Sequence, residues 1–440
     1  MGGRSLPLYV VVGSLYATAV GGGVLVAHVG IGYRGGWSIL SYGLLIAIAL
    51  TFFCVLAPWL RKQNFTTLPD VFEKIYGDNK ALKAALALAC IVVPFGWIAT
   101  QIVAFAKIFA AITGISMVPL MIFIAVVGVL FVMPAGLTSV AWTDFVFGCF
   151  MIAVSIFAAV FALDLAGGWS AVLAKVPERL TAFPESMGAV GALTLFLWTL
   201  SILPGTMTNQ LYYQRIFAAK NVDKVRLTLV IAILVMFSSK IWSGYMGIVI
   251  HALNPGLAPE KAAGWFLTQL PAGVLALYAG LVAATIVSTI DSAIQSVVVN
   301  LTHDVYKKLL NPEVDDRKLL RLSRILSVVV TAVAAIWAIA WPQALGWLIA
   351  SYAYSASILL FPLFLGYLFR ESNFLTHQGC IASMVAGLLC CGLGQWMGGM
   401  AFGVKLPYVA FGLTGSLIAL LTVSALTRSQ SVVPAGDVGG

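Results

Sequence analysis

Residues 280–309 read GLVAATIVSTIDSAIQSVVVNLTHDVYKKL. The run predicts one long helix, apolar enough at its start to enter a bilayer and ending on a charged, basic tail. Thr285, Ser288, Thr289 and Ser292 fall at i, i+3, i+4 and i+7, so they share one face as a hydroxyl stripe. Asp291 flanks that stripe. A carboxylate near mid-membrane costs roughly 2.5–3.5 kcal/mol even on the lenient insertion scale, which marks it as functional. Oxygen ligands at this spacing suit a hard monovalent cation, because they replace its hydration shell. Small and hydroxylated residues also line ordinary helix contacts in membranes. The stripe alone leaves both readings open.

The rest of the chain decides between them. It has 440 residues, 61% hydrophobic and 9% charged, with mean hydropathy +1.01. Soluble domains carry about 25% charged residues, so this is the composition of an all-α integral membrane protein. Its six cysteines lie inside apolar segments without a CxxC, which points to neither a disulfide framework nor a zinc site. Segments long enough to span fall at 6–29, 37–60, 84–112, 116–134, 140–165, 191–216, 226–252, 273–300, 320–341, 344–369, 377–398 and 406–426. The expectation is about twelve transmembrane helices in a single domain, 1–440. Between them, 61–83 carries an amphipathic stretch, 166–190 bears prolines and charges, and 253–272 reads as a short re-entrant or surface helix. No cleavable signal peptide is evident.

The net charge of +9 is an orientation signal rather than a nucleic-acid footprint. With the N-terminus inside, eighteen Lys and Arg, Arg215 among them, fall in inner loops or at inner helix ends. Five (Arg34, Lys175, Arg179, Lys261 and Lys405) fall outside, and Lys107 and Lys240 lie within helices. Positive-inside bias therefore places both termini in the cytoplasm, in a multi-pass protein of the plasma (inner) membrane. The tail after Arg428 is short, and no appended soluble domain is expected.

Two spans are expected to be broken. Gly21, Gly22 and Gly23 interrupt the first, where backbone entropy favours unwinding. Pro204 and Gly205 interrupt the sixth, followed by Thr206, Thr208, Asn209 and Gln210. Five helices separate them. Interrupted helices at matching places in two five-helix halves point to a transporter site near the midplane. Halves of about 5–166 and 190–370 follow, with two additional helices over about 376–427.

In this order and spacing the chain resembles the sodium:solute symporter family over roughly residues 3–370. The matching segments are GRSLPLYVVVGSLYATAVGGG (3–23), GYRGGWS (32–38), TTLPDVFEKIYG (66–77), GLTSVAWTD (136–144), NQLYYQRIFAAKNVDKVR (209–226) and AATIVSTIDSAIQSVVVNLTHDVYKK (283–308). The resemblance implies a LeuT-like five-plus-five inverted repeat and sodium-driven uptake of a small polar organic solute. It further implies a Na+ site from the carbonyls of Ala17, Val20 and Thr285 and the hydroxyls of Ser288 and Thr289. It places Asp144 on the inner ion route; a helix-start cap is the competing reading of that acid. There are departures. The family's usual leading helix does not precede Arg4, its paired glycines are Ala135-Gly136 after Pro134, and the glutamine after the WTD acid is Phe147. The acid that proline carriers place in the first break is Ala19, and no tryptophan stands in the sixth-helix break.

The solute is expected between the two breaks. Candidate contacts are Gly21 and Gly22; Gln101 and Trp97; Asn209, Gln210 and Tyr213; Lys240; and Tyr352, Tyr354 and Ser355. Each polar group among them also serves as an ordinary interhelical hydrogen bond. A solute carboxylate or Asp291 is the expected partner of Lys240. His28 and His251 read as interfacial. Na+ is the expected coupling ion, with no organic cofactor, no nucleic acid and no obligate protein partner besides the lipid bilayer. Three rivals remain: a proton-coupled carrier using Asp291, a non-transporting solute sensor, and a membrane enzyme. Four dispersed histidines and no HExxH disfavour the enzyme.

Overall fold

The helices follow from long apolar runs in which every backbone N–H and C=O must be satisfied within its own segment. The computed structural model describes residues 6–63, 65–133, 137–220, 224–372, 374–401 and 403–428. The side chains of Ala19, Val24, 137–140 and Ala401 fall outside that description, as do Pro134, Ala135 and Gly136 entirely. The family-pattern departures at those residues, and the ends of the GRS and NQLYYQR segments that run into 1–5 and 221–223, are therefore not placed.

The elements run α1 (Leu8–Ala19), α2 (Val29–Gly35), α3 (Ile39–Lys62), α4 (Leu68–Tyr76), α5 (Lys80–Ala89), α6 (Val92–Thr113), α7 (Met117–Val132) and α8 (Leu137–Leu165). Short helices α9 (Trp169–Lys175), α10 (Glu178–Thr181) and α11 (Met187–Val190) follow. Then come α12 (Ala192–Met207), α13 (Gln210–Ala218), α14 (Val225–Leu253), α15 (Ala262–Leu267) and α16 (Ala272–Val299). The chain closes with α17 (Asp316–Ala340), α18 (Ala344–Leu368), α19 (His377–Trp396) and α20 (Tyr408–Thr427). Each of the twelve expected segments falls mostly on helical backbone. Among the described residues nine helices are long and apolar enough to cross a membrane, and Leu8–Thr18 and Met117–Val132 are shorter apolar helices. The three expected spans outside the nine are the first and sixth, which their breaks shorten, and the fourth, where α7 is 16 residues long.

The surface is inverted relative to a soluble protein. Val126, Leu130, Ile156, Val160, Ile336 and Trp337 face outward, while Asp144, Arg215, Gln210 and Lys240 are buried. That arrangement suits a lipid surround, where apolar side chains carry no cost outside. α1 packs on α8, α14 and α16, and α16 also packs on α6, α7 and α8. Asp144 and the hydroxyls around it thus lie where α1, α8 and α16 meet.

Both breaks are present, one displaced. α1 ends at Ala19, and the chain bends at Val20 and Gly21 before helix resumes as a wide π-turn over Gly23–His28. The sixth span does not break at Pro204 and Gly205, which stay inside α12; it breaks at Thr208 and Asn209. Gly205 lies against Tyr352, where an added Cβ would come 2.7 Å from the Tyr352 Cα, so packing keeps α12 helical past the proline. The Asn209 carboxamide oxygen then accepts from the Leu211 N–H at 3.0 Å and starts α13 as a cap.

Candidate functional site

The first break is satisfied by a neighbouring helix. The Gly22 N–H donates to Gln101 Oε1 at 2.6 Å. Gly21 has room for no side chain, since an added Cβ would lie within 3.0 Å of both Thr289 Oγ1 and Gln101 Oε1. The loosened end of α1 therefore sits directly on the hydroxyl stripe of α16. Thr289 Oγ1 reaches the Ala17 carbonyl at 3.4 Å and its own helix's Thr285 carbonyl at 2.9 Å. Of the five residues expected to ligate Na+, Ala17, Thr285 and Thr289 converge here, and Val20 precedes the glycine packed on Thr289.

Ser288 turns the other way, so the stripe serves two neighbouring clusters. Its hydroxyl donates to Asp144 Oδ1. Ser14 Oγ donates to Asp144 Oδ2 at 2.7 Å, with Thr18 Oγ1 at 3.4 Å and Ser292 Oγ at 3.5 Å. Asp144 lies well inside α8 and is fully buried; it is no helix-start cap. Two hydroxyls of α1 and two of α16 thus focus on one carboxylate. Oxygens of this kind suit a positive charge.

Arg215 completes this cluster, and the sequence placed it wrongly. Counted as an inner-loop cation, it is 2% exposed within α13. Its Nη2 lies 3.8 Å from Asp144 Oδ2 and donates to Ser292 Oγ at 2.8 Å and Thr18 Oγ1 at 3.1 Å. The Ser14 and Thr18 hydroxyls were also missed, although their i, i+4 spacing on α1 was readable. Asp291 is buried and accepts from Gln295 at 3.2 Å.

A second space lies beside the breaks. Its walls include Thr18, Gly23, His28, Tyr42, Gln101 and Lys240, with Trp97, Tyr212, Met236, Leu348 and Tyr352 closing it. About 20 Å³ is open inside, room for roughly one water, so the site is almost closed. Trp97 and Tyr352 meet edge to face at 6.3 Å. Four expected solute contacts therefore line one cavity: Trp97, Gln101, Lys240 and Tyr352. The others are not among the residues that line it. Asn209 caps α13, Tyr213 donates to the Met207 carbonyl at 2.9 Å, and Gln210 ties α13 to Ser296 and to Asn300, where α16 continues as a π-helix to Leu310 in one rod. Ser355 pairs with Thr208 at 2.7 Å, and Tyr354 bonds Gln395 on the outer surface.

The expected Lys240–Asp291 pair does not form. Lys240 Nζ instead lies 3.1 Å from His28 Nδ1 and 3.2 Å from Ser239 Oγ. His28 is 3% exposed rather than interfacial, because the π-turn after the first break winds it inward. His251 is half-buried and contacts the Tyr33 carbonyl at 3.0 Å.

A separate charged group sits at the far end of α16. Lys308 bonds Asp70, reaches Glu73 at 2.8 Å and lies 3.3 Å from Asp304. Thr67 donates to Asp304 at 3.0 Å. Three carboxylates with a cation among them tie α4 to the rod. Burial opposes ionisation of Asp70, but the Lys308 ammonium and the Thr67 and Thr66 N–H groups outweigh it and hold the carboxyl below its ordinary value.

A model of the sodium:solute symporter family matches residues 1–387. The sodium/glucose cotransporter of Vibrio parahaemolyticus is 26% identical over 370 residues, covering 76% of this chain and 68% of that protein. The sodium/sialic acid symporter NanT of Aliivibrio fischeri is 25% identical over 354 residues, covering 74% and 68%. A solved substrate-bound, outward-open Na+-coupled sialic acid symporter superposes with TM-score 0.79 at 17% identity, covering 98% of this chain and 91% of that one. The fold is thus of the LeuT type. The chain belongs to the sodium:solute symporter family. It is a multi-pass membrane protein that couples Na+ to the movement of a small solute.

Proposed function

We propose that one Na+ binds where the broken end of α1 meets α16, held by the carbonyls of Ala17, Val20 and Thr285 and the hydroxyls of Ser288 and Thr289. The contact that carries this reading is Thr289 Oγ1 against the Ala17 carbonyl. Ser288 exchanges its bond to Asp144 for the ion, so Asp144, and Asp291 a turn away on α16, mark the ion's inner route. The protein is a carrier, not an enzyme. It sits in the plasma (inner) membrane with its lysine-rich loops and both ends cytoplasmic. Residues 5–166 and 190–370 form the two inverted halves, each opening with an interrupted helix. The polar organic solute occupies the cavity of Gln101, Lys240 and Tyr352, next to Gly21 and Gly22.

Na+ entering from outside orders the first break, and the solute then meets a prearranged site. This is a reciprocal coupling free energy, typically about 1–3 kcal/mol. Inward movement of one charge adds about 2.3 kcal/mol per 100 mV of membrane potential. Alternating access follows when the helices of one half rock about the closed cavity.

Purified protein in proteoliposomes, offered labelled proline, glucose, sialic acid and propionate, tests the coupling. Replacing Na+ by choline at fixed pH abolishes accumulation if the ion is Na+. Accumulation that survives in choline and follows a pH gradient assigns coupling to protons instead.

A further inference from the structure

The cavity beside the first break holds a lysine amine with no counter-charge among the described residues. Lys240 Nζ has a histidine nitrogen and a serine hydroxyl as its hydrogen-bond partners, and among the described residues no carboxylate lies within salt-bridge distance of it. A buried ammonium without an anion is expensive, yet the surroundings hold this one rigidly. An added Cβ at Gly43 would meet the Lys240 Cγ at 2.8 Å, so α3 clamps the aliphatic stem. The Tyr42 ring fixes His28 edge to face at 4.7 Å.

The hydrogen-bond logic extends to the histidine. When the Lys240 amine is protonated, Nδ1 accepts from it, which places the ring proton on Nε2. That Nε2 is buried and has no partner. Lys240 and His28 thus line one small space in which, among the described residues, the polar oxygens are all neutral and none is a carboxylate. A carboxylate has two acceptor oxygens and one negative charge, which answers both.

We infer that this cavity, when helix movement widens it beyond its present room for about one water, takes a short aliphatic monocarboxylate, its carboxylate on Lys240 and His28. The inference rests on the symport reading above and names its substrate class. The rest of the lining narrows the choice. Among the described residues no Asp or Glu lines the space, so none of them offers a solute ammonium a side-chain carboxylate, which disfavours amino acids. Ile46, Met236 and Leu348 provide an apolar wall for a short chain. Gln101 and Tyr352 can bond a keto or hydroxy group beside the carboxylate. One Na+ with one monocarboxylate also brings two opposite charges into adjoining sites.

The test is the melting temperature of the full-length protein in lipid nanodiscs. Propionate, pyruvate, proline, glucose and choline are each added in NaCl and in N-methyl-D-glucamine chloride. Propionate and pyruvate are expected to raise the melting temperature by several degrees in NaCl, with no shift from proline, glucose or choline. Lys240→Met, whose fold is read from its own unliganded melt, loses the carboxylate shift, and Lys240→Arg recovers part of it. Stabilisation by proline or glucose, or none by either carboxylate while NaCl alone still stabilises, overturns the substrate class and leaves the symport reading standing. No stabilisation by Na+ itself defeats the symport reading first. A carboxylate shift that Lys240→Met retains overturns the assignment to this cavity.

Discussion

Adding one methyl group at Gly21 strikes the junction of α1 and α16 directly. The new Cβ would lie within 3.0 Å of Thr289 Oγ1 and Gln101 Oε1. Thr289 escapes by rotating its hydroxyl off the Ala17 carbonyl, which removes one proposed Na+ ligand. Overpacking of this kind costs about 1–3 kcal/mol, equal to a roughly 5–150-fold change in an equilibrium constant. Gly21 carries no left-handed backbone angle among the residues with positive φ, so alanine adds no backbone strain. Gly23→Ala is the control, because its Cβ would meet nothing nearer than Thr100 Cγ2 at 3.6 Å. The assay titrates NaCl at constant ionic strength and reads the half-saturation of Na+-dependent thermal stabilisation. Gly21→Ala is expected to raise that concentration about 5–150-fold, and Gly23→Ala to leave it near the parent. Equal half-saturation in Gly21→Ala and parent would refute the packing of Na+ ligands against Gly21.

Removing one member of the buried ion pair gives a larger effect. Asp144→Asn leaves Arg215 with no carboxylate in salt-bridge distance among the described residues and is expected to destabilise by about 3–5 kcal/mol, whereas Asp144→Asn with Arg215→Met loses less than the sum, as a double-mutant cycle on thermal melts reports. Gly205→Ala drives a methyl into the Tyr352 backbone and is expected to cost at least about 1–3 kcal/mol, read as a lower melting temperature. Asp70 is held below its ordinary value, so its contribution is complete above the unfolded carboxylate range and disappears as pH falls through the lower, folded value. Asp70→Asn should therefore flatten the loss of thermal stability between pH 6 and about pH 3, and an unchanged slope would remove Asp70 as its source.

Much of the fold was legible because lipid makes local sequence decisive. A run of some twenty apolar residues has no stable alternative to helix in a bilayer, and the breaks were visible as glycines and a proline. The second break landed four residues late because Pro204 only removes a donor, while Gly205 lets α12 and α18 pack closely enough to hold the helix straight. The hydroxyl stripe of Thr285, Ser288, Thr289 and Ser292 was readable from spacing, but spacing alone did not separate helix packing from ion binding. Arg215 was not, since an arginine at the end of an apolar run looks like a loop anchor until α13 is seen folding inward. His28 was misread for a related reason: a helical count from the first glycines does not reveal the π-turn that swings it into the cavity. Lys240 was recognised as unusual, but only packing across α3 and the π-turn could disclose its partner.

Direct binding of ²²Na+ to purified parent and Thr289→Ala protein tests the proposed ion site most closely. Saturable binding in the parent is expected to weaken at least tenfold in Thr289→Ala, a loss of about 1.4 kcal/mol, while the variant's unliganded melt stays close to the parent's. Equal ²²Na+ affinity in the two proteins would contradict a sodium ion seated between the end of α1 and α16.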